Sequence, residues 1–143
     1  MPEYAQPVTQ DGYGHVVPLR GQALTAGAVG TTAAGTIVPT TGAGASPTVT
    51  SVTAIDNVGQ FTLNPITGGG AQSAGTVAHV YFANGMPAVP IVQVTIYDTA
   101  NAAAVAAQAG NVTAEGFDVQ VGAALTTAHT YAVVYEATCV VNS

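Results

Sequence analysis

Almost every apolar run after Pro47 is short, alternates with a period of two and is closed by Gly, Pro, Asn or Asp. That rhythm admits strands and few long helices, because successive strand side chains point to opposite faces. Phe61 and Leu63 alternate with Gln60, Thr62 and Asn64. In Thr76 to Phe82, Ala78, Val80 and Phe82 oppose Val77, His79 and Tyr81, and both faces are apolar enough to be covered. Val92, Val94 and Ile96 oppose Gln93, Thr95 and Tyr97; Phe117, Val119 and Val121 oppose Asp118 and Gln120. Tyr131, Val133 and Tyr135 close the series opposite Ala132, Val134 and Glu136. With the β-branched run Thr48 to Ile55, these segments predict an all-β chain, a small antiparallel β-sandwich of about six to seven strands.

One segment competes with this reading. Ala100 to Ala109 is dense in alanine, the best helix former, so a helix of one or two turns rivals an irregular strand there. Gly110 and Asn111 end the segment. Short isolated helices are marginal, and either outcome leaves the fold class unchanged. No repeat of fixed period is visible.

Before Ser46-Pro47 the texture differs. Gly12, Gly14, Pro18, Gly21, Gly27, Gly30, Gly35, Pro39, Gly42 and Gly44 interrupt every element. Glycine is costly to order and proline removes a backbone donor, so this part cannot bury a core by itself. Residues 1–46 are therefore expected to form an extended arm with a short strand at Thr36 to Val38, and residues 47–143 the sandwich. An arm of this kind orders against a partner.

Charge narrows function. Only 6% of the 143 residues are charged, against 48% hydrophobic, and a single basic side chain, Arg20, faces seven acids for a net charge of −6. Binding to nucleic acid draws on several Lys or Arg contacts, which this chain cannot make. Nucleotides, anionic lipids and phosphorylated substrates are disfavoured for the same reason. No apolar stretch approaches the ~18 residues that span a bilayer, so membrane insertion is not expected. Met1 to Gln10 has neither the basic start nor the apolar run of a signal peptide.

Reactive side chains are scattered. His15, His79 and His129 have no metal-ligand spacing, and the one cysteine, Cys139, reads as a small hydrophobe without an intrachain disulfide partner. No nucleophile elbow, phosphate loop or dinucleotide fingerprint occurs. Asp56, Asp98, Glu115, Asp118 and Glu136 could pair in space as glycosidase carboxylates do, but solvated acids on strands and turns are the ordinary explanation. Asn111-Val112-Thr113 fits a glycosylation sequon, which matters only in a secreted eukaryotic protein. The chain is therefore expected to be non-enzymatic and to need no cofactor or metal. Charge-poor faces suit protein contact. His79, Tyr81 and Tyr97 are candidates for subunit contacts, and Arg20 for an attachment point to an acidic site.

The later part of the chain also carries ordered markers. Gly75 to Phe82 answers to a G-T/I-x-x-V-x-F strand with one residue more before the valine, Met86 to Pro90 to a P-x-V-P turn, and Ile91 to Ile96 to a V-x-V-T strand. Gly110 to Val121 matches x-V-T-x-x-G-F-x-V, and Thr130 to Thr138 a closing x-Y-x-h-x-Y strand, where h is apolar. In that order they resemble small β-sandwich domains on bacteriophage tail fibres and other virion surfaces, a family similar to H-type lectin-like sandwiches. The resemblance implies a virion location, a homo-oligomer with a trimer favoured, and carbohydrate as a possible partner, although no sugar site carries over residue by residue. A small domain behind an arm implies a capsid decoration or minor capsid protein on the head, bound to the major capsid protein or other virion proteins. The alternative is a receptor- or glycan-binding tail fibre or tail tip. An enzyme would rest on acids such as Asp98 and Glu136 alone.

Overall fold

The computed structural model describes residues 21–65 and 72–140, together with the backbone of two short strands, β1 (Val8–Gln10) and β2 (Val16–Pro18), which pair antiparallel. The remaining strands are β3 (Thr25–Ala26), β4 (Thr36–Pro39), β5 (Thr48–Ala54), β6 (Val58–Asn64), β7 (Gly75–Tyr81), β8 (Ile91–Asp98), β9 (Ala103–Val105), β10 (Ala107–Thr113), β11 (Gly116–Val121) and β12 (Tyr131–Thr138). They form two five-stranded sheets, β10-β11-β7-β4-β3 and β5-β6-β12-β8-β9. Every pairing in them is antiparallel except β3 with β4. The expected all-β sandwich is the fold, with β3 added and the strand alternative for Ala100 to Ala109 taken as β9 and the start of β10.

The alternation sets the core. Phe61, Leu63, Ile96, Val133 and Tyr135 from one sheet meet Ile37, Val80, Phe117 and Val119 from the other, all buried. Burying an aliphatic or aromatic side chain of this kind stabilises by about 1.5–3 kcal/mol. Val77 departs from the simple alternation. Between β7 and β11 the register shifts, with Thr76 opposite Gln120 and Ala78 opposite Val119, so Val77 is the extra residue of a bulge. It is fully buried while His79 and Tyr81 stay on the outer face.

Aromatic contacts tie the layers together. Phe117 meets Tyr135 edge-on with ring centroids 5.1 Å apart, and Phe82 lies 5.9 Å from Phe117. Tyr135 donates its hydroxyl to the Ile55 carbonyl at 2.5 Å. Burial, with the nearby Asp56 charge, pushes that phenol well above the ordinary tyrosine range. Asp56 is itself fully buried and accepts the backbone N–H groups of Ala83 at 2.6 Å and Asn84 at 2.9 Å. The turn between β5 and β6 is thereby pinned to the segment following β7 in the opposite sheet.

The expected boundary at residue 46 does not separate arm from sandwich. β4 pairs with β7 along its whole length, and Ile37 is fully buried in the core. The Leu24 side chain is buried too, and its N–H donates to Ala54 of β5 at 2.9 Å. Glycines and prolines mask this in the sequence, because the segment contributes only a few inward side chains and depends on β7 and β5 for the rest. The strand expected at Thr36 to Val38 is present as Thr36–Pro39.

The alanine-dense segment is extended rather than helical. Asp98 accepts the N–H groups of Ala100 at 3.0 Å and Asn101 at 3.3 Å, fixing a turn, and Ala102 takes a positive φ of 51° before β9 folds back on β8. Val105 then ends one sheet and Ala107 starts the other. Two sheet edges give this segment backbone partners that a lone short helix would lack. No helix among the described residues is long and apolar enough to cross a membrane.

Candidate functional site

His79 on β7 and Asp118 on β11 are directly opposite in register, so their side chains meet on the outer face of the first sheet. His79 Nδ1 and Asp118 Oδ1 are 2.5 Å apart. The second carboxylate oxygen accepts the Asn111 side-chain amide at 2.6 Å. Asn111 reaches it from the bulge of β10, where its φ is +47°, a conformation that asparagine tolerates better than most residues. Asp118 thus joins three adjacent strands. The row continues with Gln120, which accepts from Gln108 at 3.2 Å, its side chain lying over the bare backbone of Gly110.

Beside this row the face is hollowed. Tyr81 is opposite Gly116, whose backbone lies so close to that of Val80 that a Cβ there would stand 2.1 Å from the Val80 carbonyl oxygen. A depression of about 250 Å³ lies here, lined by Tyr81, His79, Asp118, Asn111, Thr113 and Glu115 among others. The His79 and Tyr81 rings are 5.7 Å apart. A second depression, about 240 Å³, lies on their other side against the loop Val29 to Thr32. Chemically this is a half-open notch with an aromatic wall, two carboxylates and an amide. Asp118 fixes the imidazole, as an orienting carboxylate does. Among the described residues, however, no three His, Cys, Asp or Glu side chains converge to hold a metal ion.

A second histidine–aspartate pair lies elsewhere. His129 Nδ1 is 2.9 Å from Asp98 Oδ2, which also accepts from the Asn101 side chain at 3.2 Å. Burial raises the carboxyl pKa of Asp98, but the His129 hydrogen bond and the Asn101 and Ala100 N–H groups outweigh it, and the result lies below the ordinary value. This carboxylate organises the β8–β9 turn and fastens it to the approach to β12.

The outer face of the second sheet has a different character. Val58, Ile91, Tyr97 and Val134 project from it, four of the seven large hydrophobic residues exposed among the described residues. Between them stand Gln60, Thr62, Gln93, Thr95 and Ala132, and Glu136 is the one charged side chain among the described residues of this face.

The contact candidates therefore divide. His79 and Tyr81 share one face, and Tyr97 is on the opposite one. Arg20 and His15 lie outside the residues whose side chains are described. Cys139 is half-buried, with its thiol donating to the Ala88 carbonyl at 3.4 Å. Sequence reasoning placed Asp118 outward but missed its pairing with His79 and Asn111. The only signal was that all three fall on polar positions of strands, and 39 residues separate Asp118 from His79. Comparison with family models, with curated proteins and with solved structures gives no match.

Proposed function

We propose that this chain is a non-catalytic structural protein that acts by packing against other protein surfaces. The setting is the one its sequence resemblance implies, the surface of a phage head, as a decoration or minor capsid protein. The observation that carries this reading is the outer face of β5-β6-β12-β8-β9. A solvent-facing sheet ordinarily carries interspersed charges, whereas this one holds exposed Val, Ile and Tyr side chains with Glu136 alone. Apolar side chains set among uncharged polar ones in this way suit the mixed surface of a protein interface. The described histidines fit the same reading, because each is tied to a carboxylate that also fastens neighbouring strands or turns.

Quantitative mass spectrometry of purified particles tests the proposal. Many copies per head support it; a few copies per particle, or none, overturn it. The notch beside Tyr81 favours a second reading, a receptor- or glycan-binding tail domain, since an aromatic wall with carboxylate and amide groups suits a polar ligand. That reading expects few copies and inhibition of phage adsorption by the purified protein.

A further inference from the structure

We infer that the outer face of β5-β6-β12-β8-β9 is the contact between two copies of this chain, related by a two-fold axis that crosses the strands at Val134. The inference rests on the proposed role in protein packing and names the partner and the geometry.

Edge pairing is the other route by which sheets associate, and here all four edges are blunted. β3 has two residues and β9 three; β5 is bulged between Thr50 and Thr53, and β10 between Gly110 and Thr113. Ser51 and Asn111 take positive φ at those bulges, which bends each edge away from a flat template. The faces remain. On the first sheet the Val29 to Thr32 loop and the Asp118 row occupy much of the surface. The second sheet's face is open and nearly neutral.

Size and charge both admit a second copy. Five strands ~4.8 Å apart, four of seven or eight residues and β9 of three at ~3.4 Å per residue, present roughly 540 Å². Two such faces bury about 1,100 Å², just above the ~1,000 Å² floor for a biological interface and in the range of a weak pair. Each copy carries a net charge of −6, which opposes association wherever acids meet. This face brings only Glu136 into contact.

Glu136 also constrains the axis. A face-to-face pair has its two-fold axis in the plane of contact, and each residue meets its symmetry-related position. An axis running along β12 would set Glu136 against its own copy. An axis across the strands at Val134 moves it two residues to the other side, over Ala132 of the second molecule. Ala132 is flanked in register by Thr62 and Tyr97, whose hydroxyls can both donate to a carboxylate. The same axis stacks Val134 on Val134, with the neighbouring Gln60 and Thr95 of each copy around it.

The test is the solution mass of the purified full chain by light scattering or sedimentation at high micromolar concentration. The wild type is expected at twice the 14.1 kDa monomer mass. Val134→Glu sets two like charges at the axis and raises Kd about a hundredfold or more, returning the mass to that of a monomer. Thr95→Lys, on the same face, does the same and guards against a fold defect peculiar to Val134; circular dichroism confirms that both variants stay folded. Val29→Glu, an equally exposed valine on the other sheet's side, leaves the pair intact. A monomeric or trimeric wild type overturns the inference, as does persistence of the pair in both face variants. Copy number on the particle is measured independently, so a dimer present at few copies would remove the decoration role and leave this contact standing.

Discussion

The ring of Tyr135 lies directly on the backbone of Gly59, so closely that a Cβ added at Gly59 would stand 2.6 Å from Cε1 of that ring. The two residues are opposite in register on β12 and β6. Gly59→Ala must therefore move a fully buried aromatic side chain, and is expected to destabilise by about 1–3 kcal/mol. Urea unfolding followed by tyrosine fluorescence reads the change.

Asp56 supplies a second check on the inter-sheet joint. Removing its carboxylate strands the N–H groups of Ala83 and Asn84, which it accepts at 2.6 and 2.9 Å. Asp56→Ala is expected to cost about 3 kcal/mol or more, since each orphaned buried donor carries a penalty of about 1–3 kcal/mol. Asp56→Asn keeps one acceptor and should fall between wild type and alanine in the same denaturation assay.

Acid stability should depend on Asp98. Its folded-state pKa is held below the ordinary value, mainly by His129 acting against the burial that opposes it. A depressed carboxyl contributes stability that is present above the unfolded value, near 3.9, and is lost as pH falls through the folded value. The wild type should therefore lose stability below about pH 4, and Asp98→Asn should flatten that part of the profile. Thermal melts between pH 2 and pH 6, as chosen limits around ~3.9, measure it.

Asp118→Ala should loosen one edge without dissolving the fold. The carboxylate is the anchor of both His79 and Asn111, and it bridges β10, β11 and β7. A loss of about 1–2 kcal/mol is expected. Amide exchange should accelerate most in Ala107–Thr113, the edge strand that Asn111 fastens.

Truncation separates the N-terminal residues from the sandwich. Deleting residues 1–20 should leave a cooperative thermal transition, because the described core begins at Leu24. Deletion through residue 45 removes β4 and exposes the flank of β7, and should abolish that transition. Calorimetry distinguishes the two.

These outcomes also mark what was legible in the sequence. β11 and β12 are plain in the alternation of Phe117, Val119 and Val121 and of Tyr131, Val133 and Tyr135, because one face of each is buried and the other is not. β4 is half legible: Ile37 and Val38 announce a strand, but nothing local reveals that β7 needs a neighbour there. β9 and β10 are hidden by alanine, whose local preference is overridden by the two sheet edges it completes. The Asp118 row was least visible, since its members come from β7, β11 and β10 and meet only through register.

The passage of the chain from β9 to β10 makes the sandwich mechanically lopsided. At that edge Val105 and Ala107 belong to different sheets and one residue joins them, so prying the layers apart pulls on covalent bonds. At the far edge the chain crosses as well, but over the eight residues between Pro39 of β4 and Thr48 of β5, beside the Leu24–Ala54 hydrogen bond. The two edges are thus laced unequally, tightly at Ala106 and with slack along β3 and β5.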